Sequence, residues 1–237
     1  MSRHVFLIRH GESAWNAIAR LQGQADAPLS ELGREQAQAL TTTLSALGPM
    51  PVVSSDLSRA LDTGALAGHQ DAELDPRWRE RGLGVWEGRL ETEVPAQELS
   101  AFRHGDHVPE GGETWATFQD RVGEALDELS DRGGSWLVFT HGGCVRAAIA
   151  HATGADHRKI AGPANTSLTL IEVGARRRLL AFNWTAPAGG RAAVPRASEP
   201  GGAEMPLPGT DPENAAGDGR AATTTDGEQA GDPAHGA

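Results

Sequence analysis

The sequence predicts a three-layer α/β/α fold built around a mostly parallel central sheet. Short apolar segments, such as VFLI at residues 5–8 and SWLVF at residues 135–139, alternate with longer segments of helical period. This alternation is typical of parallel strands joined by crossover helices. Two of the apolar segments lead into a His-Gly pair, at His10 and His141. Because ligands bind beyond the carboxyl ends of parallel strands, we expect the functional site at that edge of the sheet.

The first part of the chain contains three predicted strands and two predicted helices. Apolar runs place the strands at residues 4–8, 51–54 and 72–74. Ser30 is a suitable N-cap for the first helix, in which apolar residues recur at helical spacing from Leu32 onward until Gly48-Pro49 ends it. Either Ser55 or Asp56 caps the second helix, which extends to about residue 68. The following loop, at residues 80–88, is punctuated by glycine.

The second part of the chain completes the predicted domain. Residues 95–102 form a helix, and residues 104–112 form a polar loop. A long helix covers residues 113–129, with Trp115, Phe118 and other apolar residues on its buried side. The remaining elements are a strand at 135–140, a helix at 145–151 and strands at 165–173 and 178–182.

Residues 186–237 differ in composition from the rest of the chain. They consist mostly of Ala, Gly, Pro, Thr, Asp and Glu, and their large apolar residues are Val194, Met205 and Leu207. Such a segment cannot bury enough apolar surface to offset the entropy lost on ordering. We therefore expect a domain at residues 1–185 and a disordered acidic tail at residues 186–237.

Charge and cysteine content exclude several classes of protein. A net charge of −11 argues against a general nucleic-acid or anionic-membrane binder, because such proteins present a basic face. Cys144 is the single cysteine, which excludes an intrachain disulfide and favours a reducing compartment. The N-terminal segment lacks the apolar length of a signal peptide, and no segment approaches the roughly 18 apolar residues of a membrane span. We expect a cytoplasmic protein with neither a nucleic-acid nor a membrane partner.

Four basic side chains are predicted to meet at the carboxyl edge of the sheet. Arg9, His10 and His141 follow strands, and Arg59 lies near the start of the second helix. Arginine binds phosphate through a planar fork, and the glycine after each histidine allows backbone N–H groups to approach the same oxygens. The pattern therefore predicts a pocket for a small, doubly charged anion, such as a phosphoryl group.

These residues belong to segments that resemble the histidine phosphatase superfamily, also called the phosphoglycerate-mutase-like family. The similarity covers roughly residues 3–183, and six segments in family order are far more specific than RHG alone. The segments are RHGESAWN at 9–16, LQGQADAPLSELGREQA at 21–37, SSDLSRALDT at 54–63, RERGLGVWEG at 79–88, PEGGET at 109–114 and FTHGG at 139–143. The resemblance implies a phosphoglycerate-mutase-like fold.

The resemblance also implies hydrolysis of a phosphate monoester of a small metabolite through a phosphohistidine. His10 would be the nucleophile and Glu80 the general acid and base, while Arg9, Arg59 and His141 would hold the phosphoryl oxygens. The residues implied in binding phosphate or substrate are Arg9, Gly11, Asn16, Gln22, Gly23, Arg59, His141 and Gly142. No metal and no cofactor is expected, because arginines and histidines supply the positive charge.

Some of these residues have a structural alternative. Glu80 lies between Arg79 and Arg81, so it could form a surface ion pair, and Glu87 is a rival carboxylate. Arg59 could be a solvated helix arginine. Asn16 could cap a local turn.

Other activities are also open. Relatives that act as mutases carry a longer insertion between the acid and the second histidine, and a tyrosine soon after the acid. This chain is short there and contains no tyrosine, which favours the phosphatase branch. A non-catalytic phospholigand-binding module would usually have lost the nucleophile or the acid, and both are present here. Several relatives dimerise, so a homodimer is a further expectation.

Overall fold

A six-stranded sheet forms the middle layer of the structure, a computed structural model that describes residues 3–185. The strands are β1 (Arg3–Arg9), β2 (Val52–Ser54), β3 (Glu73–Leu74), β4 (Ser135–Thr140), β5 (Leu168–Val173) and β6 (Arg178–Trp184). Their order across the sheet is β3-β2-β4-β1-β5-β6. The first four strands in this order are parallel, while β5 and β6 run antiparallel to their neighbours. The predicted mostly parallel α/β fold is confirmed, and the predicted tail at 186–237 lies outside the described residues.

The pairing of β1 with β4 places the two histidine-bearing segments side by side. Ile8 is paired with Phe139, and Arg9 with Thr140. His10 and His141 therefore leave the two central strands at the same level. Because these strands run in the same direction, both histidines reach the carboxyl edge of the sheet, as the sequence predicts.

Helices cover both faces of the sheet. They are α1 (Glu31–Ser45), α2 (Ser58–Leu66), α3 (Ala96–His104), α4 (Trp115–Arg132) and α5 (Gly142–Thr153). Alternate residues of β1 belong to different cores: Val5 and Leu7 pack in the cluster that includes α4 and α5, and Phe6 and Ile8 in the cluster that includes α1. This alternation is the two-residue period of a strand buried on both faces. Among the described helices, none combines the length and the apolar character needed to cross a membrane.

A third, smaller core lies beneath the loop between β3 and α4. It consists of buried apolar side chains, joined by the partly buried Phe102 of α3: Leu21, Leu83, Trp86, Val94 and Leu99. This core fixes α3 and the glycine-rich loop beside the carboxyl edge of the sheet. The edge is therefore walled on one side by residues 80–104.

Helix boundaries agree with the prediction in part. Ser30 caps α1, since its Oγ accepts a hydrogen bond from the Gly33 amide at 3.0 Å. Leu32 was expected on the buried face of α1 but is 49% exposed. The helix α4 begins at Trp115, after the N-cap Thr114, and not at residue 113.

The predicted cap of α2 is wrong. Leu57 occupies the N-cap position and makes no side-chain capping bond. Ser55 and Asp56 are committed elsewhere: Ser55 Oγ lies 2.9 Å from His141 Nε2, and Asp56 forms a bidentate pair with Arg79. Tertiary contacts of these two side chains thus replace the local cap that the sequence suggests.

Candidate active site

His10 lies directly after β1 and is 3% exposed. Its Nδ1 lies 2.6 Å from the carbonyl oxygen of Gly11, so Nδ1 carries the proton and Nε2 keeps its lone pair. The side chain of Asn165 donates to the His10 carbonyl at 2.9 Å and fixes the backbone. Burial lowers the pKa of His10 well below its ordinary value, and the charges of Arg59 and Arg9 lower it further. The imidazole is therefore neutral and suited to nucleophilic attack.

His141 lies directly behind His10. The two ring centroids are 5.2 Å apart, and His141 is fully buried. Its Nε2 lies 2.9 Å from Ser55 Oγ, whereas its Nδ1 has no hydrogen-bond partner among residues 3–185. Burial, followed by the charge of Arg59, lowers the pKa of His141 well below its ordinary value. The ring contacts His10 and does not line the open cavity described below.

Arg59 is a buried guanidinium group, and Arg9 is a half-buried one. Arg59 has no exposed surface and donates to the carbonyls of Ala25 at 3.0 Å and Gly23 at 2.7 Å. Arg9 donates from Nη1 to the carbonyl of Pro163. The Nε atoms of both arginines are buried and have no partner in the described part of the chain. The alternative of a solvated helix arginine at position 59 is therefore wrong.

Glu80 is held by two backbone amides. Its Oε2 accepts from the Gly143 amide at 3.0 Å, and its Oε1 accepts from the Arg81 amide at 2.8 Å. Arg79 pairs with Asp56, and no ion pair of Glu80 is found within residues 3–185. The surface-pair alternative for Glu80 is therefore not observed. Its carboxylate instead lies at the start of α5 and lines the cavity.

Glu87, the rival carboxylate, has a structural role. Its Oε1 accepts from the amides of Gln24 and Leu83, at 2.9 and 3.0 Å. Glu87 does not line the cavity that holds His10. It therefore ties two loops together, which leaves Glu80 as the candidate acid.

The predicted residues share a cavity of about 240 Å³ at the carboxyl edge of the sheet. Seven of the predicted site residues line it: Arg9, His10, Asn16, Gln22, Gly23, Arg59 and Glu80. Asn16 also caps a turn, because its Oδ1 lies 3.2 Å from both the amide and the hydroxyl of Ser13. The Ser13 hydroxyl lies 2.7 Å from Gln22 Oε1, so Asn16 and Gln22 belong to one network.

Gly11 and Gly142, the glycines that follow the two histidines, do not have the predicted role of presenting amides to an anion. The Gly11 amide donates to Thr63 Oγ1 at 3.0 Å, so, contrary to the prediction, it is not free to bind an anion. Gly142 lies against Arg9, where a Cβ would come within 3.4 Å of Nε. Neither glycine lines the cavity. Their small size instead permits close packing around the side chains that do line it.

Several lining residues are missed by the sequence reasoning. They come from the loop after β1, from residues 80–103, from α4 and from α5: Arg20, Leu21, Arg81, Leu83, Glu91, Phe102, Arg103, Trp115, Phe118, Gly143 and Arg146. Arg146 lies three residues beyond Gly143 on α5, and its direction depends on the contact with Trp115. Trp115, for which the sequence allows a place in the core or in the wall of a substrate cleft, is partly buried and lines the cavity.

A neutral histidine flanked by two guanidinium groups, at the carboxyl edge of an α/β sheet, is the arrangement expected of a protein that binds phosphate esters. The model of one such family, the histidine phosphatase superfamily (branch 1), matches residues 5–185. The chain therefore belongs to the histidine phosphatase superfamily, and the resemblance seen in its sequence is confirmed.

Curated relatives carry two kinds of name. A glucosyl-3-phosphoglycerate phosphatase of Mycolicibacterium vanbaalenii is 36% identical over 168 residues, which cover 64% of this chain and 75% of the relative. The Mycobacterium tuberculosis (strain H37Rv) protein of the same name is 31% identical over 190 residues, or 72% and 85% of the two chains. A probable phosphoglycerate mutase of Escherichia coli O1:K1 / APEC is 35% identical over 159 residues, or 61% and 74%.

Solved structures support the same fold. A mycobacterial glucosyl-3-phosphoglycerate phosphatase in complex with VO3 matches with a TM-score of 0.68 and 31% identity, over 76% of this chain and 98% of that one. A phosphoglycerate mutase from Thermus thermophilus matches with a TM-score of 0.62 and 36% identity, over 76% and 97%. The predicted phosphoglycerate-mutase-like fold is thus confirmed.

Proposed function

We propose that this protein hydrolyses phosphate monoesters of a small metabolite through a phosphohistidine at His10. One observation carries the proposal: buried guanidinium N–H groups next to His10 lack partners within the described residues, at Arg9 Nε and Arg59 Nε. Leaving such a group unpaired costs about 1–3 kcal/mol, and more when it is charged. A phosphoryl group brings several anionic oxygens and would satisfy donors on different sides at once.

In the first step, the lone pair on His10 Nε2 attacks phosphorus. The bond between phosphorus and the ester oxygen breaks, and its electron pair stays on that oxygen. Glu80 donates a proton to the departing oxygen, so the product leaves as a neutral alcohol. Arg9 and Arg59 neutralise the charge on the remaining phosphoryl oxygens.

In the second step, water attacks the phosphohistidine. The Glu80 carboxylate accepts the proton of that water, the bond between nitrogen and phosphorus breaks, and His10 regains its neutral form. The sum is one ester and one water converted to one alcohol and one phosphate. The amides that hold Glu80, those of Arg81 and Gly143, would keep its carboxylate in place for both transfers.

The test is a product assay on the purified full-length protein without added metal, beside His10→Ala. The panel contains phosphate esters that include glucosyl-3-phosphoglycerate, and 3-phosphoglycerate with and without 2,3-bisphosphoglycerate. We expect release of inorganic phosphate that disappears in His10→Ala. His104→Ala serves as the matched control, because His104 is exposed and does not line the cavity. Phosphate release by His10→Ala near the wild-type rate would rule out the proposed nucleophile.

Phosphoryl transfer between positions of one substrate is the second candidate function. The similarity to a probable phosphoglycerate mutase favours it, since both reactions need the same phosphohistidine. Isomer formation that depends on the bisphosphate, without net phosphate, would identify this activity. Binding of a phosphorylated ligand without either product would identify a non-catalytic module.

A cytoplasmic location is also proposed. Its support is the state of Cys144, which is a free, buried thiol whose pKa burial raises to about 12. Such a thiol behaves as a small apolar core residue. The homodimer remains a prediction, and light scattering coupled to size-exclusion chromatography would measure it.

A further inference from the structure

The cavity carries more positive charge than one phosphoryl group requires. Six arginines line it, against the two acids Glu80 and Glu91. A phosphate monoester brings at most about two negative charges. Arg9 and Arg59 flank His10 and would take that charge. The other four, here called the outer arginines, are Arg20, Arg81, Arg103 and Arg146.

Two of these outer arginines already have partners. Arg103 pairs with Glu91 at 2.6 Å. Arg81 donates from all three of its nitrogens to backbone carbonyls between residues 102 and 113, at 2.8–3.2 Å. Arg103 is thus neutralised, and Arg81 acts as a brace for the cavity wall.

A third outer arginine is partly engaged. Arg20 donates from Nη1 to the carbonyl of Gly88, and its Cζ lies 5.8 Å from the centroid of the Trp15 ring. These contacts hold Arg20 against the loop that follows β1. Arg146 differs from Arg20 in one respect: among residues 3–185, it has a buried nitrogen without a hydrogen-bond partner, and Arg20 has none.

Arg146 is fixed in position but is not neutralised. Its Nη2 donates to the carbonyl of His157 at 2.9 Å, and its Cζ lies 5.2 Å from the centroid of the Trp115 ring. Its Nε is buried without a partner, and no ion pair of Arg146 is found within residues 3–185. Burial also lowers the pKa of Arg146, and the charge of Glu80, which two backbone amides already hold, offsets part of that shift. A partly buried guanidinium whose Nε lacks a hydrogen-bond partner is costly unless an anion binds there.

The place of Arg146 on α5 relates it to the reacting atoms. It follows Gly143, whose amide holds Glu80, by three residues, which is a rise of roughly 4.5 Å along the helix. Residues three apart share one face of a helix. A group bound by Arg146 would therefore lie about one helical turn from the candidate acid, within reach of a small molecule whose ester is held at His10.

We propose that Arg146 is a specificity-determining residue that binds a second anionic group of the substrate, a carboxylate or a further phosphate, close to the ester that is hydrolysed. This inference rests on the proposed function of the same cavity. It names the substrate class as small phosphate esters with a second anion, in preference to esters with a neutral leaving group.

The experiment measures binding in the His10→Ala background, so that no ester is consumed. Two matched pairs separate the possible anions: 3-phosphoglycerate against glycerol 3-phosphate for a carboxylate, and fructose 1,6-bisphosphate against fructose 6-phosphate for a phosphate. We expect the doubly anionic member of one pair to bind about 10- to 100-fold more tightly, the gain from a charge-assisted hydrogen-bonded pair. Addition of Arg146→Met should reduce that preference to near unity.

Two further variants complete the experiment. Arg146→Lys keeps the charge but loses the planar fork, so it should retain only part of the preference. Arg34→Met, at an exposed position of α1 away from the cavity, should leave the preference unchanged. Melting curves report whether each variant is folded. If Arg146→Met is unfolded, the preference measured for Arg146→Lys tests the inference.

The inference is overturned if neither pair shows a preference, or if the preference survives Arg146→Met. Its failure is distinct from failure of the proposed function. Wild-type protein that releases phosphate from esters without any Arg146-dependent preference overturns only the inference. Protein that binds the doubly anionic ester through Arg146 but never releases phosphate overturns the hydrolase and leaves the inference standing.

Discussion

His10 and the two arginines beside it form one electrostatic arrangement with two effects. In the free protein, the charges of Arg59 and Arg9 add to burial and keep the pKa of His10 low, so the imidazole is neutral. In the proposed reaction, the same guanidinium groups face the phosphoryl oxygens. The site therefore prepares the nucleophile and stabilises the transferred group with the same positive charges.

Arg59→Lys tests this arrangement. Lysine retains the charge but has one nitrogen, whereas Arg59 uses Nη1 and Nη2 for the carbonyls of Ala25 and Gly23 and keeps Nε for the substrate. We expect kcat/KM for phosphate release to fall by about 100-fold or more, comparable to the loss of a preorganised donor in other enzymes. Steady-state kinetics on the best ester of the panel provides the measurement. A value within a few-fold of wild type would show that charge alone suffices at this position.

The site residues that could be predicted are those that lie within recognisable sequence segments. His10, His141, Arg9 and Arg59 lie in recognisable segments, and the strand order brings these segments together. Arg146 lies just beyond such a segment, and it reaches the cavity because of its helical phase and its contact with Trp115. Side-chain direction of this kind is set by tertiary packing, which apolar periodicity does not encode.

The loop that carries Glu80 is fastened to α4 by Arg121. Its Nη1 donates to the carbonyls of Arg77 and Arg79 at 2.8 Å, and its Nη2 donates to the carbonyl of Glu80 at 2.9 Å. Arg121 also pairs with Glu113 at 2.7 Å. The backbone of the candidate acid is thus positioned by a helix that does not itself supply a reacting group.

Arg121→Met should release this loop. We expect kcat to fall about tenfold or more, while the affinity for inorganic phosphate changes little, because the arginines beside His10 remain. Loss of one member of a partly buried ion pair should also cost roughly 3–5 kcal/mol of unfolding free energy. Kinetics, phosphate titration and urea denaturation give the three values. Equal losses in kcat and phosphate affinity would indicate general disorder of the site instead of a misplaced Glu80.

The predicted helix caps were correct where the cap depends on local contacts and wrong where tertiary contacts involve the same side chains. The cap of α1 at Ser30 was predictable because capping is local. The cap of α2 was not, because Ser55 is drawn to His141 and Asp56 to Arg79. Leu32 is exposed for a related reason. The helical period identifies the apolar face of α1, but how much of that face is buried depends on the elements that pack against it.

Buried neutral histidines couple the stability of the whole molecule to pH. The pKa values of His10 and His141 are lowered in the folded protein, whereas the unfolded chain has ordinary values near 6.5. Below pH 6.5 the unfolded state binds protons that the folded state does not, so stability falls as the pH falls.

We expect the free energy of unfolding to decrease by up to about 1.4 kcal/mol per pH unit for each histidine between pH 6.5 and the lowered pKa values. Urea denaturation at about pH 7, 6 and 5 measures the slope. His10→Gln removes one of the two contributions and should give a shallower slope. An identical slope in that variant would contradict a neutral, buried His10.

The proposed division of the chain at residue 185 can be tested by truncation. The family match ends at residue 185. The composition of residues 186–237 offers little apolar surface for a core. A protein that ends at residue 185 should keep its kcat, its KM and its melting temperature. A drop of several degrees, or a changed KM, would assign residues 186–237 a role in the domain.

The pairing of β1 has a consequence for how this protein is made. Both neighbours of this central strand come from late in the chain, as His4 pairs with Ser135 and Ile8 with Leu168. A ribosome adds about 5–20 residues per second, so β1 emerges without a partner for roughly 6–30 s. Chaperones that shield apolar segments would act on VFLI during this interval. A nascent chain that has not yet reached β4 carries His10 but not His141, so it cannot assemble the site.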